Sequence, residues 1–470
     1  MYTRHFGAMD IHAPQPVGYA ARLGLFSGTM LVVGGIIGSG IFLSPSVVAQ
    51  RVGTAPLTLA AWGIGAIVAI IGGFVYAELG ARRPRAGGTY VYLREAFGTL
   101  PAFLYGWALF LIMATGAIAA VAMTGASYLA TLLGWAPERA RAIALALIVI
   151  LTLINVLGVS IGAATGNVLT VLKLSAITIL VVAALLMSPA HALPLSTVAA
   201  APLVPPPGGM ATVVTMGAAL VPVLFSFGGW QQTNAVAEEL RDPAHTLPRA
   251  LILGVLIVAA TYLLVNLAYL RALGVQGLAA SSAPAADTMF VYLGPAGRTL
   301  ITGGIVASTI GFLSMVILMS ARVYQAMAAD GLFFQSMAAL HPTTRTPVVA
   351  LVAQGAVALA LLLTGTYGQL LDYVVFADWI FFGSTAAALF VLRQRDAQSD
   401  ARSGAPASMK APGHPFTTLL FIAAAVYVVV GSIISNPGNA ARGAGLLALG
   451  VPVYLYWNVR RTSSRPPIAS

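Results

Sequence analysis

The sequence predicts an all-α integral membrane protein of twelve transmembrane helices, and three observations carry that prediction. Hydrophobic residues make up 59% of the 470 and charged ones only 8%, about a third of the charged share of a soluble domain. Mean hydropathy is +0.90. The apolar residues also gather into runs that match the length of about 20 residues needed to cross a bilayer. A water-soluble fold of this composition would expose apolar surface it could not hide, so a soluble enzyme is excluded. Abundant Leu, Ile, Val and Phe exclude collagen-like and disordered chains.

The twelve runs lie at 24–48, 57–79, 101–132, 140–158, 164–188, 211–238, 249–272, 295–321, 347–365, 369–392, 416–435 and 443–459. An even count places both termini on one side. With the termini inside, the inner segments hold 17 Lys and Arg and the outer ones 6, so the termini are expected in the cytoplasm. The excess of Arg over Lys and the high Ala content suggest a bacterial genome, hence the cell's inner membrane. Residues 1–22 form an expected tail, 23–395 a ten-helix transport core, 396–415 a polar linker rich in Ser, Ala and Pro, 416–460 a final pair and 461–470 a second tail. The polar first twenty or so residues lead into an apolar run without a small-residue cleavage site, unlike a removable signal peptide.

The net charge of +11 could suggest nucleic acid, but nearly all charges sit in short connectors and no basic patch carries interleaved aromatics. Nucleic-acid binding is therefore rejected. The absence of cysteine excludes disulfides, thiolate metal sites, a cysteine nucleophile and covalent linkage to a partner chain. His5, His12, His191, His245, His341 and His414 all fall in tails or loops, so no metal site and no cofactor is expected.

The first run reads Gly34-Gly35-Ile36-Ile37-Gly38-Ser39-Gly40-Ile41-Phe42, with four of its glycines falling within seven residues. Each costs a helix roughly 1 kcal/mol against alanine. The sixth reads Phe225-Ser226-Phe227-Gly228-Gly229-Trp230, with Pro222 just before it. Small residues at a helix–helix contact are the plain alternative. Here, however, the interruptions open the first helix of each of two five-helix halves, which is where an inverted-repeat transporter breaks its helices around a midplane site. The amides of Gly38, Ser39 and Gly40 then face the break as a seat for a carboxylate. The carbonyls of Ile36, Ile37 and Phe225 lose their helical partners and suit an ammonium, with Ser226 and Gly228 beside them. Such a pair of seats is built for an α-amino acid.

These residues, with their surroundings, resemble the amino acid–polyamine–organocation superfamily, nearest the L-type neutral amino-acid transporters. The similarity runs from about residue 20 to about 395. Besides the two glycine-rich stretches, it rests on Glu78-Leu79, Pro84-Arg85-Ala86-Gly87-Gly88-Thr89-Tyr90, Glu238-Glu239 with Pro243, Ala328-Ala329-Asp330-Gly331-Leu332, His341-Pro342 and Thr346-Pro347. The resemblance implies a 5+5 inverted repeat of the leucine-transporter type plus two C-terminal helices, alternating access, and Phe225 as an aromatic lid. L-type transporters of animals attach through a cysteine to a single-span partner; this chain, lacking cysteine, is expected to work alone. Ser226 and Phe227 stand where relatives often carry Ala and Tyr.

Further polar features stand within or at the ends of the apolar runs. Lys173 lies about ten residues into the fifth run, roughly 15 Å along a helix, and an ionisable group at that depth marks function by default. Its ammonium is expected to cap the carbonyl end of the inner half of helix 1 in place of sodium. The resemblance agrees, since sodium-independent members carry a lysine in the context Asn167-Val168 to Lys173. Asp378, beside Trp379, has three roles open to it: carrying a proton, contacting a polar substrate side chain, or satisfying a neighbouring helix. Asp372 is expected to be solvated near the outer interface, and Glu238 and Glu239 to pair with loop arginines. Gly158-Val159-Ser160-Ile161-Gly162 matches a nucleophile-elbow pattern but falls in a turn between spans, with no histidine in any span.

The expected function is sodium-independent transport of neutral L-amino acids, by exchange. A proton-coupled symporter is the alternative within that class. An integral-membrane enzyme is the alternative outside it, and it lacks a nucleophile–base pair.

Overall fold

The computed structural model describes residues 18–191, 208–364, 367–403, 409–435 and 437–463. In hydrocarbon every backbone polar group must find its partner within the protein, and the chain meets that condition with helices. Among the described residues there is no strand, only an isolated bridge between Leu23 and Leu240.

The first expected span is two helices, α1 (Leu25–Ile36) and α2 (Gly40–Val52), bent by 42°. α2 stops at Gly53, whose left-handed φ of 68° favours glycine, and α3 (Ala55–Arg82) starts at once, capped by Thr54. A short α4 (Thr89–Phe97) precedes α5 (Thr99–Leu132), which contains a π-helical turn at Leu109–Met113. Next come α6 (Ala140–Val156), α7 (Val159–Leu186) and α8 (Gly209–Ser226), the last followed by a 3₁₀ segment, Trp230–Glu239. α9 (Pro243–Ala280) and α10 (Pro284–Ala329) are kinked at Gly274 and Gly294, whose φ values are 65° and 59°. Those kinks fall where the seventh run was expected to end and the eighth to begin. The chain closes with α11 (Val348–Thr364), α12 (Tyr367–Ser403), α13 (Phe416–Ser435) and α14 (Pro437–Ser463).

Among the described residues nine helices are long and apolar enough to cross a membrane, and the bent pair α1–α2 makes a tenth. Two expected spans fall outside that count: α11 is apolar but 17 residues long, and α14 contains Pro452 and ends in arginines. The expected tails up to residue 17 and from 464, and most of the Pro202–Gly209 stretch, lie outside the described residues. So does the Asp372 side chain.

α9 packs along α3, α10 along α7, and α1 between α9 and α7, while α2 lies against α8. This arrangement brings the two interrupted helices side by side at the centre. At the arginine-rich end, buried Glu78 holds Arg82 at 2.7 Å and Arg393 at 2.5 Å and accepts the Ala411 amide at 2.6 Å. Asp396 holds Arg82 and Arg83, each at 2.6 Å. Asp330 pairs with Arg94 and accepts the Tyr90 hydroxyl at 2.7 Å.

Candidate functional site

The site is built where α1 stops. Ile37 still donates to the Val33 carbonyl at 2.9 Å, and Gly38 turns back to donate to Ile36 at 2.9 Å. Helical bonding resumes only from Gly40, so the Ser39 and Gly40 amides at the start of α2 have no backbone partner. The second interruption mirrors the first. α8 ends at Ser226, Gly228 donates to the Phe225 carbonyl at 3.0 Å, and Gly229 turns the chain with φ of 116°.

The glycines let these two breaks touch. A Cβ on Gly229 would stand 2.0 Å from the Gly35 carbonyl oxygen, and one on Gly40 would stand 2.6 Å from Ser226 Oγ. The Ser226 hydroxyl in turn lies 3.0 Å from Ser44 Oγ and 2.8 Å from the Pro222 carbonyl. Fully buried Tyr262 of α9 bridges the breaks, its hydroxyl 3.3 Å from the Ile36 carbonyl and 3.1 Å from that of Ser226.

Lys173 lies behind the first break with no exposure to solvent. Its Nζ donates to the Gly34 carbonyl at 3.1 Å and the Ile37 carbonyl at 2.5 Å. Ser308 of α10 adds its hydroxyl, 3.0 Å from the Ile37 carbonyl and 3.3 Å from that of Gly38. A lysine and a serine thus cover the orphaned carbonyls of the inner half-helix.

In front of the breaks lies a cavity of about 890 Å³, its open mouth included. Ile36, Gly38, Ser39, Gly40, Phe225, Ser226 and Gly228 line it, as expected for a site at the breaks. Ile37 is the exception among the expected substrate residues. Its carbonyl points at Lys173 and Ser308, so it has no free lone pair for a substrate. The Ile36 carbonyl already receives Gly38 and Tyr262, whereas the Phe225 carbonyl, with one donor on its oxygen, is the more open acceptor. On the amide side, Gly38 is spent on Ile36, which leaves the Ser39 and Gly40 amides as the backbone donors without a backbone acceptor at this break.

Asp378 also lines the cavity, with Trp379 and Phe382 from α12, Tyr105 from α5, Phe312 from α10, and Gln231 and Gln232 after the second break. Sequence reasoning did not single out Tyr262, Ser308, Phe312 or the two glutamines. Tyr262 had a signal, a phenol within an apolar run; Ser308 had none beyond a small residue in a helix. Glu239 pairs with Arg322 at 2.6 Å, both buried, and Glu238 accepts the Ala86 amide at 3.1 Å. Both depart from the pairing expected there: Arg322 lies within α10 rather than on a loop, and Glu238 meets a backbone amide rather than an arginine. Ser160 is exposed in the first turn of α7 with no strand before it, so the elbow pattern has no catalytic setting.

The chain is similar to known proteins over most of its length. A family model described as amino acid permease matches residues 23–454. The chain is 30% identical over 449 residues to the serine/threonine exchanger SteT of Bacillus subtilis (strain 168), covering 95% of this chain and 99% of that protein. It is 30% identical over 385 residues to the b(0,+)-type amino acid transporter 1 of Oryctolagus cuniculus, covering 81% of this chain and 77% of the relative. With the large neutral amino acids transporter small subunit 2 of Homo sapiens it shares 30% over 453 residues, 93% of this chain and 81% of the relative.

Proposed function

From a chain that belongs to the amino acid permease family and is a multi-pass membrane protein, we propose a sodium-independent exchanger of neutral L-amino acids. The substrate carboxylate sits on the Ser39 and Gly40 amides at the start of α2, where the helix dipole favours an anion. The ammonium sits against the Phe225 carbonyl, and the Phe225 ring closes over the bound molecule. Ile36, Gly38, Ser226 and Gly228 form the surrounding wall. The scaffold in this reading has twelve spans, ten of them a 5+5 inverted repeat, with both termini in the cytoplasm of a bacterial inner membrane. Relatives named as exchangers and transporters of amino acids support the reading. Without cysteine the chain forms no disulfide to a partner subunit, and it is proposed to act alone, without a cofactor and not as an enzyme.

The observation that carries sodium independence is the Lys173 ammonium on the Gly34 and Ile37 carbonyls. A cation fixed by a covalent stem already occupies the carbonyl end that a sodium ion would neutralise. Lys173 also couples the half-helix to the scaffold, because moving α1 away from α7 must break both bonds. The test is uptake of a labelled amino-acid panel into proteoliposomes, with and without sodium and with and without internal amino acid. Uptake that needs internal amino acid and ignores sodium is expected; sodium-driven uptake into empty vesicles would contradict the proposal.

A further inference from the structure

The arginine-rich end of the bundle spends guanidinium groups on its own acids: Arg82, Arg83, Arg94, Arg322 and Arg393 are each paired with a carboxylate. Arg22, Arg241 and Arg249 are not. All three are exposed, and among the described residues no hydrogen bond or ion pair reaches their guanidinium groups. The fold gathers them at the foot of α1. Leu23 and Leu240 form the isolated bridge, with the Arg22 and Leu23 amides donating to the Glu239 carbonyl at 3.0 and 2.9 Å and the Arg241 amide to the Leu23 carbonyl at 2.8 Å. Both leucines are buried, and alternation along an extended chain turns their neighbours Arg22 and Arg241 outwards. Arg249 arrives through α9. The next residue, Ala250, packs so closely on α1 that a Cβ on Gly28 would stand 3.1 Å from its Cβ and 3.2 Å from Leu240 Cδ2. The nearby acids do not neutralise the group: Asp242 is held by His245 at 3.0 Å, and Glu238 accepts the Ala86 amide.

The apolar surface beside these arginines is the second observation. The exposed residues of α1 are confined to its first turn, where Leu25 is 40% and Phe26 61% exposed. Ser27 receives the Asn167 side-chain amide of α7 at 3.0 Å, so the foot of α1 sits between α7 and α9 with Leu25 and Phe26 facing out. On α9, Arg249, Leu253, Leu256 and Ile257 share one exposed face at helical spacing. A guanidinium thus stands at the head of an apolar stripe, the polarity of an amphiphile's binding surface.

We propose that the foot of α1 binds an anionic phospholipid, its phosphate held by Arg22, Arg241 and Arg249 and its acyl chains lying on Phe26 and the exposed face of α9. Guanidinium groups take phosphate oxygens in forked pairs, and basic residues at the edge of a span attract anionic headgroups. A zwitterionic lipid carries its own ammonium into the same cluster of positive charge and is disfavoured. The bound lipid joins α1 to α9 and so favours the arrangement in which the half-helix is docked. The site is separate from the cavity and does not depend on the amino-acid reading.

The test gives the full-length protein in detergent an equimolar mixture of phosphatidylglycerol and phosphatidylcholine with matched acyl chains, and reads bound lipid by native mass spectrometry. Phosphatidylglycerol is expected to be retained at least about tenfold over phosphatidylcholine, within what three arginines at a membrane surface supply. Combining Arg22→Gln, Arg241→Gln and Arg249→Gln should abolish that preference, while Arg85→Gln, at an exposed arginine of the same end, should keep it. Phosphatidylglycerol should also raise the melting temperature of the wild-type protein and not that of the triple variant, because a ligand of the folded arrangement stabilises it. If the triple variant does not fold, Phe26→Gln serves in its place. It keeps the arginines and should weaken phosphatidylglycerol retention at least about threefold through lost apolar contact; unchanged retention there would count against the site. Absence of any preference in the wild-type protein, or the same preference in the triple variant, would overturn the inference. Displacement of the lipid by an equal concentration of glycerol phosphate would overturn it too, leaving an anion site with no part for the acyl chains.

Discussion

Lys173 shows how one side chain can hold a mechanism in a protein nearly free of internal charge. Its ammonium is buried without a carboxylate partner, and the two carbonyls it caps are those left open by the end of α1. A hydrogen bond from a charged donor is worth about 1.5–3 kcal/mol, so its loss is felt in the half-helix it anchors. Lys173→Met keeps the stem and removes the charge. Transport is expected to fall at least about tenfold while the protein still reaches the membrane folded, as read by uptake normalised to a monodisperse elution profile. Normal rates would remove the lysine from the cycle. Phe225, on the cavity wall, is proposed to act at another step. Phe225→Ala is expected to slow flux more than it raises the equilibrium Kd, because a lid matters to closure rather than to first contact; an equal effect on both would deny it that role.

The broken helices were the most legible elements. Glycine clusters at 34–40 and 228–229 announced both interruptions, because a strained turn or a backbone approach is a local demand on residue type. Gly87-Gly88 proves to be of the same kind: Gly87 donates to the Ala235 carbonyl at 3.1 Å, and a Cβ on Gly88 would stand 2.8 Å from the Ala235 amide nitrogen. Long-range pairing was less legible. That Tyr262 would bridge two carbonyls from 36 and 226 residues away, or that Ser308 would share Ile37 with Lys173, depends on which helices become neighbours. A step of one residue, roughly 100° around a helix, also separates Ile36 on the cavity wall from Ile37 behind it, a distinction that composition does not carry. Gly229→Ala tests the element directly. Its Cβ would need to occupy space 2.0 Å from the Gly35 carbonyl at a φ of 116°, so loss of transport with helix content unchanged by circular dichroism is expected. A fully active variant would show that the breaks need not touch.

Across the whole molecule, uncharged backbone ends occupy the centre while ion pairs tie the arginine-rich end. The pair of Arg322 and Glu239 is the most enclosed of these, with side chains 0% and 1% exposed. Removing one partner strands the other, at a cost of roughly 3–5 kcal/mol. Arg322→Ala should therefore lower the melting temperature of the detergent-solubilised protein by several degrees, and an unchanged melting curve would show that the pair contributes little. The composition gave the membrane class readily, but the number of spans less so, because α11 and α14 are marginal in length or polarity. The central claim is that helix ends, rather than charged side chains, grip a zwitterion, and competition against labelled amino-acid uptake tests it most directly. The free amino acid should compete, while its methyl ester and its decarboxylated amine should lose at least about a hundredfold in potency. An ester or amine competing as well as the parent amino acid would contradict the account.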